Sequence, residues 1–221
     1  MSGHFRLVAL PALLTLSACL PDVVLETDAQ KASYGIGFNI GKRLASFEEH
    51  VDMAAVMKGV TDALSEQEAA LTEEEMAAAM AALDEMIQAG ARERGTAEGE
   101  EFLERNAARE GVIVTESGLQ YEVLREGDGA SPGAGQRAVV HYRGSLPDGT
   151  EFDTSYGGDP VSFAVDEVVP GFSEALKLMK VGGHMRVALP SEIAYGEEGR
   201  QPVIGPNQVL VFEIEMLGIE E

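Results

Sequence analysis

The stretch Val139–Ser155, VVHYRGSLPDGTEFDTS, constrains the fold more than any other, because it has the pattern of two strands joined by a tight turn. Side chains alternate along a strand, so Val140 and Tyr142 share one face of the first strand. The letters LPDG supply proline, aspartate and glycine in an order that favours a reversal. Phe152 and Asp153 then return beside Tyr142. We predict a hairpin with two aromatic rings and a carboxylate on one face.

Further strands are predicted around this hairpin from alternating apolar residues in GLQYEVLREG, PVSFAV, MRVALP and VLVFEIEML. FSEALKLM is the one clear helix among them. Residues 113–221 are therefore predicted to form an α+β domain, an antiparallel sheet wrapped over one short helix. In its first long strand we expect inward side chains at Leu119, Tyr121 and Val123 and outward side chains at Gln120 and Glu122.

The loop Pro190–Gln208 separates the last two predicted strands. A loop of this length inside a compact domain usually has a function. We therefore expect it to contribute to any site that the domain carries.

Helical periodicity runs through the chain before residue 113. A first helix is expected from Lys31. Asp52 is the predicted cap of a second helix, and Thr72 with Glu75 matches a capping box that begins a third. The third pattern continues to about Arg109, and its glycines leave open whether that helix is continuous.

The helical half is predicted to hold two parts, a dimerisation region at residues 31–71 and a long connecting helix at residues 72–112. Short, Met-rich amphipathic helices make a poor independent core. We therefore expect two copies to bury these faces against each other, forming a homodimer through residues 31–90. The alternative is a small monomeric helical bundle packed on the neighbouring domain.

The N-terminus has the features of an export signal. Arg6 precedes an apolar run too short to span a bilayer as a mature helix, and the run ends Leu16-Ser17-Ala18-Cys19. This ending resembles the bacterial lipobox, which implies a signal peptide at residues 1–18, lipid on Cys19 and a tether at residues 19–30. The alternative is an ordinary secretory signal with an incidental cysteine. Leucine rather than aspartate after the cysteine favours an outer-membrane lipoprotein facing the periplasm or the cell surface.

Charge excludes one class of partner. The chain has 38 acidic and 16 basic residues, a formal net charge of −22. Nucleic-acid binding requires Lys and Arg to neutralise phosphates, so we expect no nucleic-acid partner. A solvated acidic surface is the simplest interpretation.

The sequence lacks the patterns of the common catalytic centres. Its four histidines are scattered without metal-ligand spacing, and neither a GxSxG motif nor a phosphate-binding loop is present. We expect no metal and no cofactor. Many apolar and aromatic residues remain in the second half, and residue types alone leave open whether they form a pocket or an ordinary core.

Four motifs resemble the FKBP-type peptidyl-prolyl cis-trans isomerases: VHYRGSLPDGTEFDTS, FAVDEVVPGFSEAL, VGGHMRVALPSEIAYGE and IGPNQVLVFEIEML. They occur in the expected order over about residues 115–221. The helical half and the lipobox resemble the Mip-type branch, whose members are often dimers. The resemblance implies a peptidyl-prolyl isomerase that assists the folding of exported proteins. The alternative is a dimeric chaperone or binding module for unfolded clients, with isomerase activity secondary.

The resemblance also assigns residues to a proline pocket. It implies catalytic roles for Tyr142, Phe152, Asp153, Tyr195 and Phe212, with the Tyr195 hydroxyl donating a hydrogen bond to substrate. Phe172 forms the pocket floor, where the best-known relatives carry Trp. The remaining substrate-binding positions are Phe163, Val168, Val169, Val203 and Ile204.

Overall fold

The computed structural model describes residues 23–45 and 50–221. The predicted signal peptide and Cys19 lie outside the described residues. Within them, no helix is both long enough and apolar enough to cross a membrane. The chain divides into two compact units between Lys58 and Gly59.

Two short helices come first, α1 at Asp28–Leu44 and α2 at Met53–Leu64. Thr27 and Gln30 form a capping box, so α1 begins three residues before the predicted start. Asp52 caps α2 as predicted, because its Oδ1 accepts hydrogen bonds from the backbone N–H groups of Ala54 and Ala55. Neither helix has a buried residue.

The third helix, α3, runs unbroken over Glu73–Ala107, and its capping box of Thr72 and Glu75 is the predicted one. The glycines that left its continuity open have a packing role. Gly95 and Gly99 are buried, and a Cβ on Gly95 would collide with the carbonyl of Pro206. Their missing side chains let the backbone of another segment approach the helix closely.

In the part of the chain that the structure describes, seven strands form one antiparallel sheet in the order β1-β2-β6-β7-β3-β4, with β5 also pairing with β3. The strands are β1 Val112–Val114, β2 Gln120–Arg125, β3 Arg137–Ser145, β4 Glu151–Thr154, β5 Val161–Ala164, β6 His184–Leu189 and β7 Leu210–Glu220. Helix α4, Pro170–Leu178, packs on one face and buries Ala175 and Leu176 completely. The predicted α+β architecture is confirmed.

The predicted alternation in β2 is wrong at two positions. Gln120 is 5% exposed, whereas Val123 is 37% exposed. The end of α3 covers the second face of the sheet there. Asn106 Nδ2 donates to Gln120 Oε1 at 2.9 Å, and Gln120 Nε2 donates to the carbonyl of Leu103 at 3.0 Å. A buried amide is tolerated because both of its polar atoms have partners.

The long loop after β6 is held against α3. Asn207 Nδ2 donates to Thr96 Oγ1 at 3.0 Å, and the backbone N–H of Asn207 donates to the carbonyl of Gly196 at 2.8 Å. Gly95 and Gly99 of α3 provide the space for this contact. The loop therefore has a defined position relative to the sheet.

Candidate functional site

The β3–β4 hairpin forms one wall of a cavity. Ser145 pairs with Glu151 and Gly144 pairs with Asp153, so Phe152 is an extra residue in β4 and creates a bulge. A bulge re-aims side chains that strict alternation would send to opposite faces. Both Phe152 and Asp153 therefore line the same cavity, as predicted for one face of the hairpin.

The cavity has a volume of about 730 Å³. All of the pocket positions assigned from the sequence lie around it: Tyr142, Phe152, Asp153, Phe163, Val168, Val169, Phe172, Tyr195, Val203, Ile204 and Phe212. Four further lining residues were not predicted: Glu167, Arg200, Gln201 and Pro202. Three of these four belong to the loop Pro190–Gln208, so the loop's length was the available signal.

The floor of the cavity is a cluster of aromatic rings. Phe172 is 4% exposed, and its ring centroid lies 5.0 Å from that of Phe212 and 5.5 Å from that of Phe163. Phe163 also lies 5.3 Å from Tyr142. The edge-to-face geometry of these pairs suits the electrostatics of aromatic rings. Such a floor offers an apolar surface for a flat or ring-shaped group.

Gly144 is required for this packing. A Cβ at Gly144 would lie 2.6 Å from the ring of Phe152 and 2.9 Å from the ring of Phe212. Those two rings are perpendicular, with centroids 5.7 Å apart. Because Gly144 has no side chain, both rings can pack directly over β3 at this position.

The Tyr142 hydroxyl donates a hydrogen bond to Asp153 Oδ2 at 2.6 Å. Burial, together with the hydrogen bond and negative charge of Asp153, raises the pKa of Tyr142 well above its usual value. Tyr142 therefore remains a protonated phenol at physiological pH, and its only hydrogen is already engaged.

Tyr195 has the opposite arrangement. Arg200 Nη1 donates to the Tyr195 oxygen at 3.3 Å, and the guanidinium carbon lies 5.8 Å from the centre of the tyrosine ring. A phenol has one hydrogen to donate and lone pairs to accept with. Its oxygen accepts from Arg200, and no described group accepts the Tyr195 hydrogen, which is therefore available to a ligand in the cavity.

Among residues 23–45 and 50–221, no group of three or more His, Cys, Asp or Glu side chains has the arrangement of a metal site. His141, one of the four scattered histidines, stacks on Tyr156, and its Nδ1 lies 3.1 Å from Ser155 Oγ. What the cavity offers is an apolar, aromatic floor, one available phenolic hydroxyl, and charged groups at its wall, the carboxylates of Asp153 and Glu167 and the guanidinium of Arg200.

Two families match the chain. Residues 29–123 match the domain amino terminal to FKBP-type peptidyl-prolyl isomerase, and residues 129–217 match the FKBP-type peptidyl-prolyl cis-trans isomerase. The chain is 43% identical over 199 residues to the FKBP-type 22 kDa peptidyl-prolyl cis-trans isomerase of Escherichia coli K12, covering 88% of this chain and 97% of that protein.

Two further relatives extend over most of the chain. It is 36% identical over 218 residues to the outer membrane protein MIP of Legionella longbeachae, covering 95% of this chain and 94% of that protein. The crystal structure of FkpA from Escherichia coli superposes with a TM-score of 0.70 at 33% identity, covering 89% of this chain and 99% of that one.

Proposed function

This chain belongs to the FKBP-type peptidyl-prolyl cis-trans isomerases, and we propose that it accelerates rotation about X-Pro bonds in exported polypeptides by binding the proline ring in the aromatic cavity. The observation that carries the proposal is the cavity itself, with its aromatic floor and the available Tyr195 hydroxyl. The reaction breaks no bond. It therefore needs neither a nucleophile nor a cofactor.

The barrier to this rotation is about 18–20 kcal/mol, because amide resonance is lost in the twisted state. Water stabilises the polar, planar amide better than the twisted one. Transfer of the prolyl amide from water onto the rings of Phe172 and Phe212 removes part of that preference. Each tenfold gain in rate requires about 1.4 kcal/mol of extra stabilisation of the twisted state.

The polar groups at the wall orient the substrate. The Tyr195 hydroxyl donates to a carbonyl that flanks the proline and holds it while the amide turns. Asp153 fixes the position of the Tyr142 ring through their 2.6 Å hydrogen bond and polarises the carbonyl region. It does not act as a general base, because the reaction transfers no proton.

A protease-coupled assay with an Xaa-Pro tetrapeptide tests this site. The double substitution Tyr195→Phe and Asp153→Leu should lower kcat/KM by at least about tenfold, since it removes both oriented polar groups. Unchanged kcat/KM in a correctly folded double variant would contradict the assignment.

The helical region is the proposed homodimer interface. In α1, Tyr34 and Phe38 lie on one face, and Ile36 and Ile40 lie on another, with each side chain at least 46% exposed. A helix that is apolar on more than one face needs cover on more than one side. In α2, Met53, Met57, Val60 and Leu64 are also exposed. A second copy of residues 31–90 would supply the cover.

The same exposed side chains favour a second role. Met-rich apolar surfaces adapt to varied partners, so the helical region could also hold unfolded polypeptides. In this alternative, the chain is a dimeric chaperone and its isomerase activity is secondary. Substitutions confined to the exposed apolar side chains of α1 and α2 should then reduce activity on unfolded proteins and leave activity on tetrapeptides unchanged.

We place the protein in the bacterial cell envelope, anchored by lipid on Cys19 and facing the periplasm or the cell surface. Two observations support this. The residues before Cys19 have the lipobox pattern, and a relative covering 95% of this chain is named an outer membrane protein. Lipid on one cysteine would hold the domain at the membrane without a spanning helix.

A further inference from the structure

Arg200 stands apart from the other basic residues because its guanidinium faces a tyrosine of the cavity. In the part of the chain that the structure describes, its side-chain partner is Tyr195 and not a carboxylate. Arg125 and Arg137 also bond to groups other than carboxylates, the carbonyl of Gly182 and Ser162, but neither lines the cavity.

The backbone between the two residues keeps this contact in place. Arg200 and Ile204 exchange two backbone hydrogen bonds, at 2.8 and 3.0 Å. The N–H of Gly199 donates to the carbonyl of Tyr195 at 3.2 Å. These hydrogen bonds close the loop into a compact turn. The backbone of this turn places the Arg200 guanidinium beside Tyr195.

The hydrogen-bonding groups of the two side chains determine which atom donates and which accepts. Arginine has only donors, so the Tyr195 oxygen must accept. No other described side chain hydrogen-bonds the Tyr195 hydroxyl. Its hydrogen therefore remains unused, and acceptance from a cation makes the O–H a stronger donor. Tyr142 differs, because its hydrogen is engaged by Asp153.

We propose that Arg200 is a positioning residue that fixes the Tyr195 ring and directs the hydroxyl hydrogen towards the substrate carbonyl. The inference rests on the proposed role of Tyr195 in the isomerase site. The stacked guanidinium restricts the ring, and the 3.3 Å hydrogen bond orients the oxygen. Arg200 acts through Tyr195 and need not touch the substrate.

A double-mutant cycle on the full mature chain tests this, with kcat/KM measured on tetrapeptides that carry Glu or Lys before proline. Tyr195→Phe should lower kcat/KM about tenfold, and Arg200→Met about fivefold. In the Tyr195→Phe background, Arg200→Met should change kcat/KM by less than about twofold. Arg143→Met is the matched control, because Arg143 also stacks on a tyrosine, Tyr156, but outside the cavity. It should leave kcat/KM unchanged.

Three results would overturn the role of Arg200. These are an equal loss from Arg200→Met in both backgrounds, no loss in either, or opposite changes on the Glu and Lys peptides, which would indicate direct contact with substrate charge. Activity that is insensitive to Tyr195→Phe would instead contradict the proposed use of Tyr195 itself. The two failures are therefore distinguishable.

Discussion

The Tyr142 hydroxyl donates to Asp153 Oδ2 at 2.6 Å across the β3–β4 hairpin. Because the raised pKa of Tyr142 lies above its unfolded value of about 10, the associated stability should be fully present below pH 10. It should fall as the pH rises through the folded pKa, because the unfolded chain loses this proton first. Tyr142→Phe should lack this component.

The measurement is the free energy of unfolding of both proteins from urea titrations between pH 8 and pH 12. The difference between wild type and Tyr142→Phe should be constant up to about pH 10 and should change above it. Tyr156, whose pKa is also raised, is present in both proteins and cancels. A difference that is flat up to pH 12 would show that the Tyr142 hydroxyl is not held in this way.

Gly144→Ala should damage the cavity wall, since its Cβ would lie 2.6 Å from the Phe152 ring and 2.9 Å from the Phe212 ring. We expect a loss of about 1–3 kcal/mol in unfolding free energy, together with reduced kcat/KM. Gly158→Ala is the control, since the nearest atom to its Cβ would be 3.7 Å away. Equal stability of the two variants would contradict the packing described here.

Residue type predicted the inward side of most strands, but it could not predict what covers the other side. Gln120 is polar and was assigned outward, yet the end of α3 buries it through Asn106 and Leu103. That contact joins segments distant in sequence, so alternation within β2 carries no trace of it. The glycines of α3 likewise left open whether the helix is continuous. Their role became clear only from the position of the long loop, which packs against Gly95 and Gly99.

The family motifs located the cavity residues, while the details of their geometry came from the structure. The bulge that puts Phe152 and Asp153 in one cavity depends on strand register, which the sequence leaves undetermined. Arg200 was not predicted as a site residue, because nothing in the sequence indicates that its guanidinium lies on the Tyr195 ring. The sequence indicated only that the long loop containing Arg200 would contribute to the site, not which of its residues would do so.

The proposed homodimer is tested by sedimentation of residues 20–221, which omit the predicted signal peptide and the lipid-bearing cysteine. Phe38→Glu with Ile40→Glu places charges on both apolar faces of α1 and should convert a dimer into a monomer. Asn39→Glu, between them on the same exposed helix, should leave the dimer intact. A wild-type chain that sediments as a monomer would contradict the proposal.

The proposed anchor is tested by fractionating cells that express the full chain. Cys19→Ser removes the thiol that accepts lipid, so the protein should move from the membrane fraction to the soluble periplasmic fraction. Ser17→Ala keeps a small residue in the lipobox and should leave the protein in the membrane fraction. Membrane retention of the Cys19→Ser protein would rule out lipid on this residue as the anchor.

The most direct test of the account is the refolding of a protein whose slow phase is limited by an X-Pro bond. The rate constant of that phase should rise in proportion to the concentration of the wild-type chain. The Tyr195→Phe, Asp153→Leu double variant should produce at most about a tenth of the increase. A slow phase that wild type leaves unchanged, or that the double variant accelerates equally, would contradict catalysis by the aromatic cavity.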